Sequence, residues 1–103
     1  MKKAKSIVTI EKIKNALVKN KPFLAEKYKV REIGVFGSYV RGEQTKRSDI
    51  DILVDFEESI SLLKFLEFEN YLSKIIGAKV DLVMKDALKP RIGSHILKEV
   101  VNV

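Results

Sequence analysis

The sequence predicts a small α/β (α+β) domain in which helices pack on one side of a sheet. Three observations predict it. Apolar runs with strand alternation recur at 30–36, 49–55 and 79–84. Between and around them lie longer segments whose apolar residues repeat at helical spacing. Finally, 103 residues suffice for one compact domain and not two, so residues 1–103 are expected to form a single domain.

Residues 1–8 are expected to fray. Thr9 is a suitable N-cap, with Glu11 in the first turn where the helix dipole favours an anion. Ile10, Ile13 and Leu17 then recur at helical spacing, and this helix is expected to end near 19–21. Pro22 fits the first position of a second, short helix through Tyr28. The first strand, Val30 to Phe36, runs into the turn Gly37-Ser38, and Tyr39 to Gly42 has room for one helical turn. Glu43 to Ser48 is polar and aperiodic, hence a loop.

Asp49 to Asp55 is the second strand. Its alternation puts Ile50, Ile52 and Val54 on one face and Asp49, Asp51 and Leu53 on the other. Ile60 to Ile76 is the longest helix, with a stripe of Phe65, Phe68, Leu72, Ile75 and Ile76. Leu62, Leu63 and Leu66 widen that stripe, which predicts a helix buried on two sides; the alternative is an exposed patch for a partner subunit. Gly77 closes the helix. Lys79 to Met84 is the third strand, and Pro90 opens a last helix with Ile92, Ile96 and Leu97 inward. Val100, Val101 and Val103 either end it or form a short terminal strand.

Composition excludes several chemistries. There is no cysteine, so disulfides and thiolate zinc sites are out. A single histidine rules out a multi-histidine metal site within the chain. Any metal must therefore sit on carboxylate oxygens, which favours Mg²⁺ or Mn²⁺. No apolar run approaches the ~20 residues that span a bilayer. Met1 to Lys5 is basic, as a signal peptide would begin. Glu11, Lys12 and Lys14 then break the apolar region that a signal peptide needs, so a cytoplasmic protein without membrane attachment is expected. The formal charge of +6 is met by solvated lysines or by attraction to a polyanion, and charge alone does not choose between them.

The chemistry concentrates between Gly37 and Val54. Two carboxylates at i and i+2 of a strand point the same way with backbones ~6.6 Å apart. Paired metal ions stand ~3.5–4 Å apart, so Asp49 and Asp51 can share such a pair. Asp81 on the third strand is the candidate third ligand. An isolated Asp-x-Asp is most simply the wet side of an amphipathic strand; the Gly-Ser turn upstream and Asp81 downstream argue otherwise. At the turn, Gly37 permits close approach of a phosphate and Ser38 offers a hydroxyl. Arg41 and Arg47 carry charge that can neutralise phosphates, although either reads equally as solvated surface, Arg47 above all. His95 reads as structural rather than catalytic. Tyr39 either packs beside the turn or stands near the ligand.

Val35-Phe36-Gly37-Ser38-Tyr39-Val40-Arg41-Gly42, with ten residues between Ser38 and Asp49, then Asp49-Ile50-Asp51-Ile52-Leu53-Val54, resembles the signature of the DNA polymerase β-like nucleotidyltransferases. The nearer resemblance is to the minimal nucleotidyltransferases (MNT), the small partners of HEPN-domain proteins. It extends to Gly77-x-Lys79-Val80-Asp81-Leu82-Val83 and to the tail from Ile96 to Val100. The resemblance implies the polymerase β-like fold on a small mixed sheet. It implies transfer of AMP from ATP to a hydroxyl, a tyrosine of a HEPN toxin, with the chain acting as a type VII-like antitoxin in a hetero-oligomer. Asp49, Asp51 and Asp81 would be catalytic and would bind two Mg²⁺. Gly37, Ser38 and Arg41 would hold the nucleotide. Nucleic acid is not expected as a direct ligand. Two alternatives stay open: transfer to a small molecule or RNA, and an antitoxin that neutralises by binding alone.

Overall fold

The computed structural model describes residues 8–103; the expectation of fraying at 1–8 lies outside the described residues for 1–7, whereas Val8 packs against the core. The element order is α1 (Ile10–Tyr28), β1 (Val30–Phe36), α2 (Ser38–Arg41), β2 (Ile50–Phe56), α3 (Leu62–Ile76) and β3 (Val80–Met84). A single 3₁₀ turn (Lys85–Ala87) then leads into α4 (Pro90–Glu99) and β4 (Val101–Asn102). The strands form one mixed sheet in the order β3-β2-β1-β4. β2 and β3 run parallel and are joined through α3, the crossover that a parallel pair requires. The other two pairings are antiparallel.

α1 and α3 lie on one face of this sheet and against each other. Ile13, Leu17 and Leu24 from α1 and Phe68 and Leu72 from α3 are fully buried there, over Ile33, Val35, Ile50, Ile52 and Val54. The alternation read from β2 is therefore observed: its isoleucines and Val54 form the floor of the core. Tyr28 stacks on Phe68 with ring centroids 4.6 Å apart, pinning the end of α1 to α3. The caps at Thr9 and Gly77 match: Thr9 Oγ1 accepts from the Lys12 N–H at 3.2 Å, and Gly77 ends α3 at φ 85°. α3 starts two residues later than Ile60, capped by Ser61, whose Oγ accepts from the Lys64 N–H at 3.1 Å.

Three expectations are corrected. Pro22 does not start a new helix; α1 continues through it. Ile13, Leu17, Leu24 and Tyr28 form one continuous buried stripe across the proline, and burying it outweighs the hydrogen bond that Pro22 cannot donate. Leu62, Leu63 and Leu66 are not the second buried side of α3. Leu62 and Leu63 are 71% and 80% exposed. They sit beyond the arc that Phe68 and Leu72 direct into the core. Ile92 and Leu97 are likewise exposed rather than inward. α4 borders the other face of the sheet, where Leu97 and Val100 close a 90 Å³ cavity over Glu32, Leu53 and Asp55.

Candidate active site

β1 delivers the chain to the site. Phe36 pairs with Asp51 across the antiparallel ladder, so the turn after Phe36 arrives beside the Asp-x-Asp segment. Gly37 takes φ 83° and ψ −153°, a conformation essentially reserved for glycine. A Cβ at Gly37 would also overlap Asp51 Oδ2, so the turn has no room for a side chain. Ser38 then opens the single-turn helix α2, which closes on Gly42. Gly37 O accepts from the Val40 and Arg41 N–H groups. The side chain of Ser38 has no hydrogen-bond partner among the described residues, and Tyr39 is buried beside the turn.

The carboxylates come from two adjacent parallel strands. Asp51 and Asp81 are direct register partners on β2 and β3, so their backbones stand about 4.8 Å apart. Asp49 lies one residue before β2, half-buried. Asp51 is half-buried and Asp81 exposed. The Asp51 carboxyl is pushed above its ordinary value, first by burial and then by the charges of Asp81 and Asp49. Among the described residues no three carboxylate or imidazole side chains close into a metal-binding cluster. The donors of Asp49, Asp51 and Asp81 are hard oxygens, the donor type that suits Mg²⁺ or Mn²⁺.

Arg41 is tied to two carboxylates. Its Nη1–H donates to Glu99 Oε1 at 2.7 Å and its Nε–H to Glu43 Oε1 at 2.9 Å. Glu43 and then Glu99 hold the guanidinium above its ordinary value. Glu99 also receives the Gly37 N–H at Oε2, at 2.6 Å. The Arg41 hydrogen bond comes first among the causes that hold the Glu99 carboxyl below the usual range. Sequence reading did not single out Glu99. One signal was present: a glutamate in the last turn of a helix opposes the dipole there, which asks for a tertiary partner. Arg47 and His95 are exposed, and His95 adds its charge to those that hold the Glu99 carboxyl down.

At the far end of the same face, a 770 Å³ open cavity is lined by Arg31, Asp55, Lys85, Lys89 and Lys98 among others. Asp55 lies four residues beyond Asp51 on β2, about 13 Å along the strand. Arg31 is paired with Asp55 at 3.0 Å and Lys85 with Glu32 at 3.4 Å. No helix of the described residues is long and apolar enough to cross a membrane.

Comparison with known proteins shows the family. The family model described as "Nucleotidyltransferase domain" matches residues 10–103. A protein adenylyltransferase, MntA of Thermococcus cleftensis, is 56% identical over 98 residues, covering 95% of this chain and 99% of the relative. A chain of Methanocaldococcus jannaschii provisionally named a protein adenylyltransferase is 54% identical over 96 residues, covering 92% and 98%. Among solved structures, one provisionally named a minimal nucleotidyltransferase superposes with a TM-score of 0.82 at 30% identity, covering 96% of this chain and all of the other. A toxin–antitoxin complex with AMP-PNP contains a chain that superposes at 0.66 and 27% identity, covering 89% and 69%. With the Gly37-Ser38 turn set against Asp51 and its register partner Asp81, the chain belongs to the nucleotidyltransferase domain family.

Proposed function

We propose that this chain is a Mg²⁺-dependent protein adenylyltransferase that moves AMP from ATP to a tyrosine hydroxyl of a HEPN-domain toxin, and so acts in the cytoplasm as its antitoxin. The observation that carries the reading is the pairing of Asp51 with Asp81 beside the Gly37 turn. The likeness to MntA adenylyltransferase over nearly the whole chain supports it. So do solved neighbours that are toxin–antitoxin complexes, one of them with AMP-PNP.

Each residue then has a task. Asp49, Asp51 and Asp81 would hold two Mg²⁺. Bound there, the ions would supply charge for the phosphates and acidify the acceptor hydroxyl. Gly37 lets the backbone approach the β- and γ-phosphates, and the Ser38 hydroxyl donates to them. Arg41 faces the same phosphates with the donors that Glu43 and Glu99 leave free. The acceptor oxygen attacks the α-phosphorus, its proton passes to Asp81, and the bond from the α-phosphorus to the bridging oxygen breaks to release pyrophosphate.

The test is incubation of the chain with ATP, Mg²⁺ and the HEPN protein encoded beside it, followed by mass spectrometry of that protein. AMP on a tyrosine is the expected product; an unmodified partner, under conditions where a known active relative modifies its own, refutes the reading. The cavity bordered by Arg31, Lys85, Lys89 and Lys98 favours one second reading, an anionic acceptor such as an RNA end. A labelled RNA with no labelled protein would select it.

A further inference from the structure

We infer that Glu99 is a positioning residue for the nucleotide: it clamps the turn at Gly37 and the Arg41 guanidinium so that both meet the triphosphate. The inference rests on the reading that a nucleoside triphosphate sits at that turn. Glu99 is the last residue of α4, 62 positions from Gly37, yet its two carboxylate oxygens are divided between the site's two charge-recognising groups. Oε2 takes the Gly37 N–H at 2.6 Å and Oε1 takes Arg41 Nη1 at 2.7 Å.

Three facts argue that the clamp orients the site rather than merely fastening the tail. First, Gly37 takes a conformation that glycine enters freely but shares with many others open to it, so the turn keeps its place against Asp51 only where its surroundings hold it. Glu99 supplies that restraint through the shorter of its two hydrogen bonds. Second, Arg41 is roughly half exposed, so its side chain would otherwise sample many rotamers. Glu99 and Glu43 fix it through Nη1 and Nε, leaving Nη2 with its hydrogens for a phosphate oxygen. Third, a carboxylate at a helix C-terminus is disfavoured by the dipole, so its position answers a need elsewhere. Holding a cation near the phosphates without giving up all its donors is such a need.

The opposite view is that Glu99 is an anion standing where a phosphate will sit, to be displaced by it. The two differ in sign. The experiment titrates wild type, Glu99→Gln, Glu99→Ala and Glu99→Asp with AMP-PNP and separately with AMP, in Mg²⁺, by calorimetry. Glu99→Gln keeps an acceptor for Gly37 but loses the ion pair, so the fold is retained. Thermal melts of each variant confirm that the molecules titrated are folded. The expected result is about tenfold weaker AMP-PNP binding for Glu99→Gln, more for Glu99→Ala, with AMP affinity unchanged and partial recovery in Glu99→Asp. A merely structural tie would not separate AMP-PNP from AMP. Tighter AMP-PNP binding in Glu99→Gln overturns the inference, as does an unchanged ratio of the two affinities. If wild type itself fails to bind AMP-PNP, the nucleotide reading of the site fails instead.

Discussion

Replacing Gly37 by alanine tests how tightly the turn and the carboxylates are built together. Gly37 has φ 83° and ψ −153°, and its Cβ would overlap Asp51 Oδ2. The backbone strain alone costs about 1–3 kcal/mol. In a domain of this size each 1 kcal/mol lowers Tm by roughly 4–8 °C. The chemical consequence is larger. The added methyl must displace the Asp51 carboxylate, and a displacement near 1 Å in a catalytic group costs on the order of 100-fold in rate. Gly42→Ala is the control. Gly42 also has positive φ, 74°, but nothing lies within 4 Å of its Cβ position. That variant should lose roughly 1–2 kcal/mol and keep its activity per folded molecule. The assay is AMP transfer, normalised to the folded fraction from thermal melts. Gly37→Ala with wild-type transfer per folded molecule would refute the close packing of turn against carboxylate.

The remaining predictions concern charge, pH and the first helix. Asp51→Asn should raise the Tm of the metal-free protein and abolish any rise on adding Mg²⁺. The sign comes from linkage: the folded pKa lies above the unfolded one, so the native state loses stability as pH rises through that interval and keeps the deficit at neutral pH. A lower Tm for Asp51→Asn without metal would contradict this. Tyr28 is pushed up to about 12, by burial first and then by its hydrogen bond to Glu67. Its contribution is therefore fully present below its ordinary value of 10.0 and is lost as pH rises from there towards 12. Denaturant titrations should show stability falling more steeply across that range in wild type than in Tyr28→Phe. Pro22→Ala restores a hydrogen-bond donor inside α1 at an exposed position and should stabilise by about 2 kcal/mol, the helix gain less the entropy returned to the unfolded chain. Chemical denaturation measures it, and a loss of stability would show that the proline is accommodated without strain.

Local chemistry was the legible part of this molecule. Alternation along β2 put Ile50, Ile52 and Val54 inside and left Asp51 on the other face, and the caps at Thr9 and Gly77 came from residue type. Pro22 was misread because its local preference for a helix start was given more weight than the stripe from Ile13 to Tyr28, which carries straight across it. Leu62, Leu63, Ile92 and Leu97 were misread because apolar character shows what a helix can bury, whereas the facing element decides how much it does. The register of Asp51 with Asp81 depends on how α3 returns the chain to the sheet, which no local pattern encodes. Glu99 lay further out of reach still, since its meaning comes from two partners about 60 residues away.

The central claim is that Asp49 and Asp51, with Asp81 beside them, carry a nucleotidyl transfer that silences a partner. The most direct measurement tracks α-labelled ATP in Mg²⁺ with the HEPN partner, comparing wild type with Asp49→Asn plus Asp51→Asn and with Asp81→Asn, alongside neutralisation of the partner in cells. The account predicts label on the partner with wild type, none above background with the double variant, and neutralisation lost or much weakened in step. A double variant that binds its partner and neutralises it fully without transferring label would contradict the account, because the antitoxin would then act by binding and the carboxylates would be dispensable.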